Sequence, residues 1–199
     1  MPRKVDHDER RSQIVAALLA FAGREGLHKV SLRNVASEAG VSLRLVQYYF
    51  KSKAFLMQAG LSYLEERSHK RWTQRLAKLP QPTSCRAVLE AFFEEALPSK
   101  QQSREFHLLW TSYAMLAMTD RDISDDSFVD GPNRLQERLA SILGQGKAEG
   151  EFHENIDIAR EAPILLGLVH GLGTAVLIGQ QSYDDAKASL VFHLERLGR

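Results

Sequence analysis

The sequence predicts an all-α protein of about nine helices. Apolar residues recur with the 3.6-residue period of an α-helix along almost the whole chain of 199 residues. No run of alternating apolar and polar residues, rich in β-branched side chains, occurs between turn residues, so no strand is predicted. A hydrophobic content of 44% is enough to fill a core in a chain of this length.

The first three predicted helices form a unit in which two short helices follow a longer one. The longer helix ends before Gly26, a residue that favours the left-handed conformation of a helix stop. Each short helix follows a serine that can cap it, Ser31 or Ser42, and a tight turn at Gly40 separates the two. This order predicts a helix-turn-helix unit. The three helices cover about Asp8 to Arg24, Leu32 to Ala39 and Leu43 to Phe50.

Six further helices are predicted after this unit. They cover about Lys53 to Leu79, Pro82 to Pro98, Gln101 to Met118, Pro132 to Gly150, Asp157 to Gly179 and Asp184 to Leu197. The polar, acidic segment from Thr119 to Gly131 is predicted to be a connection, and a helical start at Asp126 is left open. Pro163 lacks a backbone donor, so a kink or a later start is expected in its helix.

Charge is distributed unevenly along the chain. Residues 1–55 contain ten Lys or Arg and five Asp or Glu, whereas the remainder has a net charge of −4. A basic end before a mildly acidic body indicates a module that meets an anionic partner.

The composition also bears on location. A single cysteine, Cys85, excludes an intramolecular disulfide and fits a reducing cytoplasm. The N-terminal residues have no apolar core of a signal peptide. The apolar segment from Pro163 to Ile178 is shorter than the ~20 residues that span a bilayer, so we expect a buried helix and no membrane partner.

The third predicted helix has two different faces. Val46 and Phe50 lie four residues apart and should pack on the preceding helices, whereas Arg44, Gln47 and Tyr48 share the opposite face. Arginine can make two hydrogen bonds to guanine, glutamine can do the same to adenine, and tyrosine can reach a phosphate or a thymine methyl group. An ordinary solvated face is the alternative. The serine cap, the glycine turn and the basic residues nearby favour DNA binding.

The segment "SLRNVASEAGVSLRLVQYYFKSKAFL" resembles the N-terminal signature of the TetR family of bacterial transcriptional regulators. The later segments "GKAEGEF" and "GLVHGLGTAVLIG" resemble the effector domain of its BetI-like branch. The resemblance implies a helix-turn-helix DNA-binding domain at residues 1–52 and a ligand-binding and dimerisation domain at residues 53–199. The matching residues are Val35, Ala36, Ala39, Gly40, Val41, Ser42, Tyr49, Phe50 and Lys53.

The resemblance also implies roles for individual residues. Leu43, Arg44, Gln47 and Tyr48 stand at base-facing positions, Arg33 at a base- or phosphate-contacting position, and Ser42, Leu45, Tyr49 and Lys53 at positions that face the DNA backbone. This chain departs from the family pattern at two positions. Arg44 stands where the family usually has a small residue, and Gln47 where it usually has tyrosine. Its operator is therefore expected to differ from those of its relatives.

A homodimer is expected, because one recognition helix reads only a few base pairs. Gly167 and Gly171 lie four residues apart on an apolar helix and would allow close approach of a partner helix. Leu190 and Leu194 form an apolar stripe on the last helix, and by resemblance the two helices build a four-helix bundle across the twofold axis. The alternative is that both helices belong to the core of one chain.

An effector site is expected between the helices from about Pro82 to Gly179, by resemblance. The candidate residues offer aromatic, thioether and imidazole groups, a mixture found in small-molecule pockets, and an apolar or amphipathic organic effector is expected. The alternative is that these residues simply fill the core. They are Phe93, His107, Trp110, Tyr113, Met118 and His170.

The expected function is that of a ligand-responsive transcriptional regulator, by family default a repressor that a small molecule releases from a palindromic operator. The sequence contains no nucleophile motif, phosphate-binding glycine loop or set of metal ligands at the usual spacings, so we expect no enzyme, cofactor or metal. A helical protein-interaction adaptor, or an activator with the same fold, is the alternative.

Overall fold

The computed structural model describes residues 7–119 and 127–198. Within these ranges it contains helices and one isolated bridge between Phe152 and Gly198, but no strand, and the all-α prediction is confirmed. A short 3₁₀ helix, Leu27–Lys29, follows the first α-helix and was not predicted. The α-helices are α1 (His7–Glu25), α2 (Leu32–Glu38), α3 (Leu43–Phe50), α4 (Lys53–Leu76), α5 (Cys85–Ala96), α6 (Gln101–Thr119), α7 (Ser127–Ala148), α8 (Ile158–Leu177) and α9 (Tyr183–Leu197).

Two local predictions need correction. Helix α7 begins at Ser127 and not near Pro132, close to the alternative start at Asp126, while residues 120–126 of the predicted connection lie outside the described residues. Pro163 lies in the second turn of α8, which begins at Ile158, so the expected later start is wrong. Among the described helices, none has the length and hydropathy to span a membrane.

The chain divides into two compact units. The first comprises Met1–Glu65 and Leu109–Asp125, and the second comprises Glu66–Leu108 and Asp126–Arg199. Helices α4 and α6 therefore each contribute residues to both units. The functional boundary expected at residue 52 stays a prediction.

The core of the first unit joins α1, α2, α3 and the start of α4. Helix α4 approaches α1 closely at Gly60, where an added Cβ would lie only 2.7 Å from Leu18 Cδ2. The fully buried side chains of this core include Ile14, Leu18, Val35, Val46 and Leu56.

The core of the second unit is built from α5, α7, α8 and α9, with the end of α4 packed against it. Glu95 on α5 is buried, and its carboxylate accepts hydrogen bonds from Ser68 and Arg71 on α4. Its buried charge is thus compensated by a cation and a hydroxyl, as the cost of burying a carboxylate requires.

A pair of histidines joins α6 to α8 in this unit. His107 is only 3% exposed, and its ring packs so closely on Gly173 that an added Cβ would overlap it. His107 Nε2 lies 3.3 Å from Thr174 Oγ1, and the Thr174 hydroxyl donates to the carbonyl of His170 over 2.9 Å. The centroids of the His107 and His170 rings are 6.3 Å apart.

Burial disfavours the charged form of both rings. It lowers the pKa of His170 to about 4, and the nearby His107 lowers this pKa further. Burial also lowers the pKa of His107. Both side chains are therefore neutral at pH 7, where each offers one donor and one acceptor.

This depressed pKa predicts a loss of stability in mild acid. The unfolded chain binds a proton at residue 170 near pH 6.5, whereas the folded chain binds it only near pH 4, so stability falls as the pH is lowered through this window. Between pH 7 and pH 4, the free energy of unfolding of the wild type should fall by about 2–3 kcal/mol more than that of His170→Gln. Urea denaturation at a series of pH values measures this difference.

His153→Gln is the matched control, because His153 is exposed in the same unit. It should follow the wild-type curve. A His170→Gln curve parallel to that of the wild type would contradict the assigned pKa.

Candidate nucleic-acid interface and ligand site

Two serine caps and one glycine turn set the geometry of α2 and α3. Ser31 accepts a hydrogen bond from the backbone N–H of Asn34, and Ser42 accepts one from that of Leu45. Gly40, between the two helices, has φ 65°, a conformation that favours glycine. The predicted caps and turn are therefore confirmed, and they fix where α3 begins.

The buried face of α3 holds it to the first unit. Val46 is fully buried and Phe50 is 1% exposed, both within the core that includes α1 and α2. The guanidinium of Arg11 lies 5.3 Å from the centroid of the Phe50 ring. These contacts leave the opposite face of α3 toward solvent.

The exposed face of α3 carries the three side chains that the spacing indicates. Arg44 and Gln47 are exposed, and Tyr48 is 69% exposed, an unusual exposure for a large aromatic side chain. A single helix face therefore presents a guanidinium, an amide and a phenol to solvent, side by side at positions i, i+3 and i+4.

Tyr49 is half-buried, and its surroundings include a residue that sequence reasoning missed. Its hydroxyl lies 3.0 Å from Nδ1 of His7, at the start of α1, and its ring meets the edge of Tyr48 with centroids 5.2 Å apart. His7 thus supports Tyr49, which in turn supports the exposed Tyr48. No local pattern could reveal this, because His7 and Tyr49 are 42 residues apart.

Basic side chains around α3 are not neutralised. Within the described residues, Arg33, Arg44, Lys51 and Lys53 form no ion pair. Elsewhere in the unit Arg24 pairs with Glu38 over 2.7 Å, and Lys29 pairs with Glu25 over 3.2 Å. The positive charges next to α3 therefore remain available to an anionic partner.

Lys51 closes α3 in a conformation that is costly for its residue type. Its φ is 46°, in the left-handed region, and its N–H donates to the carbonyl of Gln47 over 2.9 Å. Glycine would adopt this conformation with less strain. Lysine at this position therefore places a positive charge next to α3 although the backbone conformation alone would favour glycine.

The other predicted DNA-facing residues surround this face. Ser42 and Arg33 are exposed, whereas Leu43, Leu45 and Lys53 are half-buried. Their roles toward DNA stay predictions.

The six predicted effector residues are divided between the two units. Phe93 and His107 are buried and His170 is half-buried in the second unit. In the first unit Tyr113 is buried, Trp110 is half-buried and Met118 is 74% exposed. The structure brings His107 and His170 together, and the effector role of the six stays a prediction.

A surface cleft of about 830 Å³ lies elsewhere in the second unit. It is lined by the connection before α8 and by residues of α8 and α9, where His193 Nε2 lies 3.0 Å from Glu161 Oε2. None of the six predicted effector residues lines this cleft.

The prediction for the dimer interface needs correction. Leu190 and Leu194 are fully buried in the core of their own chain, because α9 packs its leucine stripe on α5 and α8 of the same unit. They cannot face a partner. Gly167 and Gly171, by contrast, are exposed on α8, and an added Cβ at either would meet nothing within 4 Å.

One cysteine and two glutamates lie close enough to suggest a metal site. The relevant atoms of Cys85, Glu149 and Glu151 lie within 4.8 Å of one another. However, the carboxylate of Glu151 already accepts from the backbone N–H groups of Cys85 and Arg86 at the start of α5. Burial and the two glutamates raise the pKa of the Cys85 thiol to about 11, so it stays protonated and is a poor metal ligand.

Comparisons with known proteins agree with this geometry. Residues 14–59 match the family model of bacterial regulatory proteins of the tetR family, and residues 85–199 match that of the C-terminal part of BetI-type transcriptional repressors. The HTH-type transcriptional regulator PksA of Bacillus subtilis (strain 168) is 26% identical over 199 residues, which cover 99% of this chain and 94% of PksA.

The HTH-type transcriptional regulator BetI of Yersinia pestis (strain Pestoides F) is 23% identical, over 97% of this chain and 93% of BetI. A solved transcriptional regulator from Saccharomonospora viridis, in complex with choline, has a TM-score of 0.81 and 25% identity, with 95% of this chain and 97% of that one covered. Together, the two matching family models account for most of the chain. The chain therefore belongs to the tetR family of bacterial regulatory proteins, and its C-terminal part is that of a BetI-type transcriptional repressor.

Proposed function

We propose that this chain is a cytoplasmic, non-enzymatic repressor that binds a twofold-symmetric DNA operator as a homodimer and releases it when a small organic effector binds. The observation that carries the proposal is the exposed face of α3, with Arg44, Gln47 and Tyr48 side by side among basic residues that have no ion-pair partner among the described residues.

Each of the three exposed side chains suits one kind of contact in the major groove. The guanidinium of Arg44 can donate two hydrogen bonds to O6 and N7 of guanine, and the amide of Gln47 can bond N6 and N7 of adenine. Tyr48 offers a hydroxyl for a phosphate or a ring edge for a thymine methyl group. We assign base reading to these residues together with Leu43.

The residues around this face suit the DNA backbone. Arg33, Lys51 and Lys53 have no ion-pair partner in the part of the chain that the structure describes. Each phosphate that such a cation neutralises releases a counterion and adds affinity that does not depend on sequence. Ser42, Leu45 and Tyr49 complete the predicted backbone-facing set. A steep loss of DNA binding with added salt is the signature that separates a regulator from an interaction adaptor without DNA binding.

The homodimer that we propose uses the exposed face of α8. Gly167 and Gly171 carry no side chain at two positions of this face, so the helix of a partner could approach closely there. Helices α8 and α9 also carry one large exposed apolar side chain each. Ile164 on α8 is 43% exposed, and Phe192 on α9 is 61% exposed. Ile164 and Phe192 therefore replace Leu190 and Leu194 in the proposed interface.

Release by an effector requires that the effector bind better to a state with lower operator affinity. The choline complex of the Saccharomonospora viridis regulator shows that a protein of this fold holds a small organic ligand. We propose such a site in the second unit, where the candidate residues Phe93, His107 and His170 lie, with DNA binding assigned to residues 1–52 and effector binding to residues 53–199. Helix α4 belongs to both compact units and is the element that could transmit the change.

Substitutions on α3 should separate base reading from general DNA affinity. Arg44→Ala or Gln47→Ala should cost about 1–3 kcal/mol of binding free energy on the best operator and should relax the preference for that operator over other sequences. Fluorescence anisotropy with the selected operator and with single-base variants measures both quantities.

Lys53→Ala is the matched control on the same surface. It should weaken binding to all sequences similarly and reduce the salt dependence. A uniform loss across sequences for Arg44→Ala would contradict base reading by this residue.

The corrected dimer interface can be tested at Gly171. Gly171→Glu has room within one chain but would place two charges into a closely packed helix pair across the twofold axis. The variant should sediment as a folded monomer where the wild type sediments as a dimer, and it should bind the full operator more weakly.

Gly23→Glu is the control, because Gly23 is also a helical glycine with nothing within 4 Å of an added Cβ. It should leave the sedimentation coefficient unchanged. A Gly171→Glu protein that stays dimeric would refute this interface.

A further inference from the structure

One arginine of the second unit lies directly on an aromatic ring. The guanidinium carbon of Arg138, on α7, lies 3.8 Å from the centroid of the Trp72 ring, on α4. Trp72 is 2% exposed, and its other neighbours include Phe92, whose ring centroid is 5.2 Å away. This is a close cation–π contact at a half-buried position.

Arg138 differs from the other half-buried arginines of this unit. Arg71 pairs with Glu95 over 2.7 Å, Arg75 pairs with Glu94 over 3.2 Å, and Arg86 pairs with Glu90 over 2.9 Å. Arg138 has no carboxylate partner in the part of the chain that the structure describes. Burial lowers its pKa, with no opposing contribution from an anion, although the guanidinium stays charged at neutral pH.

Trp72 adds a second unsatisfied donor at the same place. Its Nε1 is buried and has no hydrogen-bond acceptor among the described residues. A buried N–H without a partner is unfavourable relative to one that is bonded, and most buried polar atoms in proteins are bonded. Among the described residues, the partly buried cation thus has no carboxylate partner and the buried N–H of the ring beneath it has no acceptor.

We propose that Arg138 and Trp72 form a binding site for the carboxylate group of an organic anion, and that such an anion is the effector. A carboxylate has two acceptor oxygens, and the planar guanidinium binds it through two parallel hydrogen bonds. The carboxylate would supply the missing anion to Arg138 and an acceptor to Trp72 Nε1. The surrounding aromatic side chains suit the apolar part of the same molecule.

The same geometry disfavours a cationic ligand at this site. A quaternary ammonium group binds over the face of an aromatic ring, but the guanidinium of Arg138 already covers the face of Trp72. An added cation would also be repelled by a positive charge that no described carboxylate neutralises. The site is therefore expected to select ligands by the sign of their charge.

The position of the site gives it a route to DNA binding, and this part of the inference rests on the proposed function. Trp72 lies in α4, which begins in the first unit and ends in the second. The Nε1 atom of Trp72 has less than 1 Å² of accessible surface, so a ligand that bonds it must displace neighbouring side chains. Repacking of the side chains around Trp72 would displace α4, the helix that begins in the first unit.

Three probes with alkyl chains of similar length and different head groups test the site. Octanoate, octan-1-ol and octyltrimethylammonium are each titrated into the full-length protein by isothermal calorimetry, and acetate and butyrate extend the carboxylate series. Octanoate should bind at least about tenfold more tightly than octan-1-ol, because a charge-assisted pair of hydrogen bonds is lost in the alcohol. Octyltrimethylammonium should bind more weakly than octanoate.

Variants locate the binding. Arg138→Met keeps the length of the side chain and removes its charge, and should weaken octanoate binding at least about tenfold while changing octan-1-ol binding by less than about twofold. Trp72→Phe keeps a ring but removes the N–H, and should weaken octanoate binding by several-fold. Arg134→Met, an exposed arginine one turn earlier on α7, is the matched control and should bind octanoate like the wild type.

Several results would overturn the proposal. These are no binding of any of the three carboxylates, equal binding of octanoate and octyltrimethylammonium, or unchanged octanoate affinity in a folded Arg138→Met protein. The last result would mean that Arg138 only packs on Trp72.

Operator binding is measured separately by anisotropy, with and without octanoate. Octanoate should lower the operator affinity of the wild type and leave that of Arg138→Met unchanged. Octanoate binding without any change in operator affinity would contradict the effector role. Absence of operator binding by the unliganded wild type would instead refute the proposed function, while the calorimetry would still decide whether the carboxylate site exists.

Discussion

The proposed DNA-binding surface depends on the burial of Val46 and Phe50. Each side chain is at most 1% exposed, and together they fix the rotation of α3 on α1 and α2. Because a helix turns by about 100° per residue, fixing one face determines the other. Arg44, Gln47 and Tyr48 are then held outward by the position of the helix, and the ring of Tyr49 supports that of Tyr48. A recognition helix can therefore change the bases it reads through its outer residues, while its inner residues keep its position.

In both units, some cationic side chains have a carboxylate partner within the chain and others do not. Arg24 and Lys29 in the first unit, and Arg71 and Arg75 in the second, have carboxylate partners within the chain. The cations around α3 and the guanidinium of Arg138 have none among the described residues. A buried or clustered cation without a partner is unfavourable, because no opposite charge compensates it. Such a cation therefore indicates a place where an external anion would bind favourably. This reasoning underlies both proposals, that the first unit binds phosphates and that the second binds a carboxylate.

The parts of the structure that depend on local sequence were predictable. Ser31, Ser42 and Gly40 act through hydrogen bonds and backbone conformation within a few residues, so the caps and the turn of the helix-turn-helix unit follow from the sequence. Periodicity also indicated that Leu190 and Leu194 are buried, but it could not tell whether their own chain or a partner buries them. Contacts between distant residues, such as His7 with Tyr49 or Arg138 with Trp72, leave no local pattern. The same limit applies to His107, which packs on Gly173 of another helix.

Hydroxyl-radical footprinting of the protein on an operator selected from random DNA tests the central claim most directly. A dimer that places one α3 helix in each of two major grooves should protect two half-sites related by a twofold axis. Their centres should lie about one helical turn, roughly ten base pairs, or a multiple of it apart. Protection of a single asymmetric site, or none even at low salt, would contradict the account.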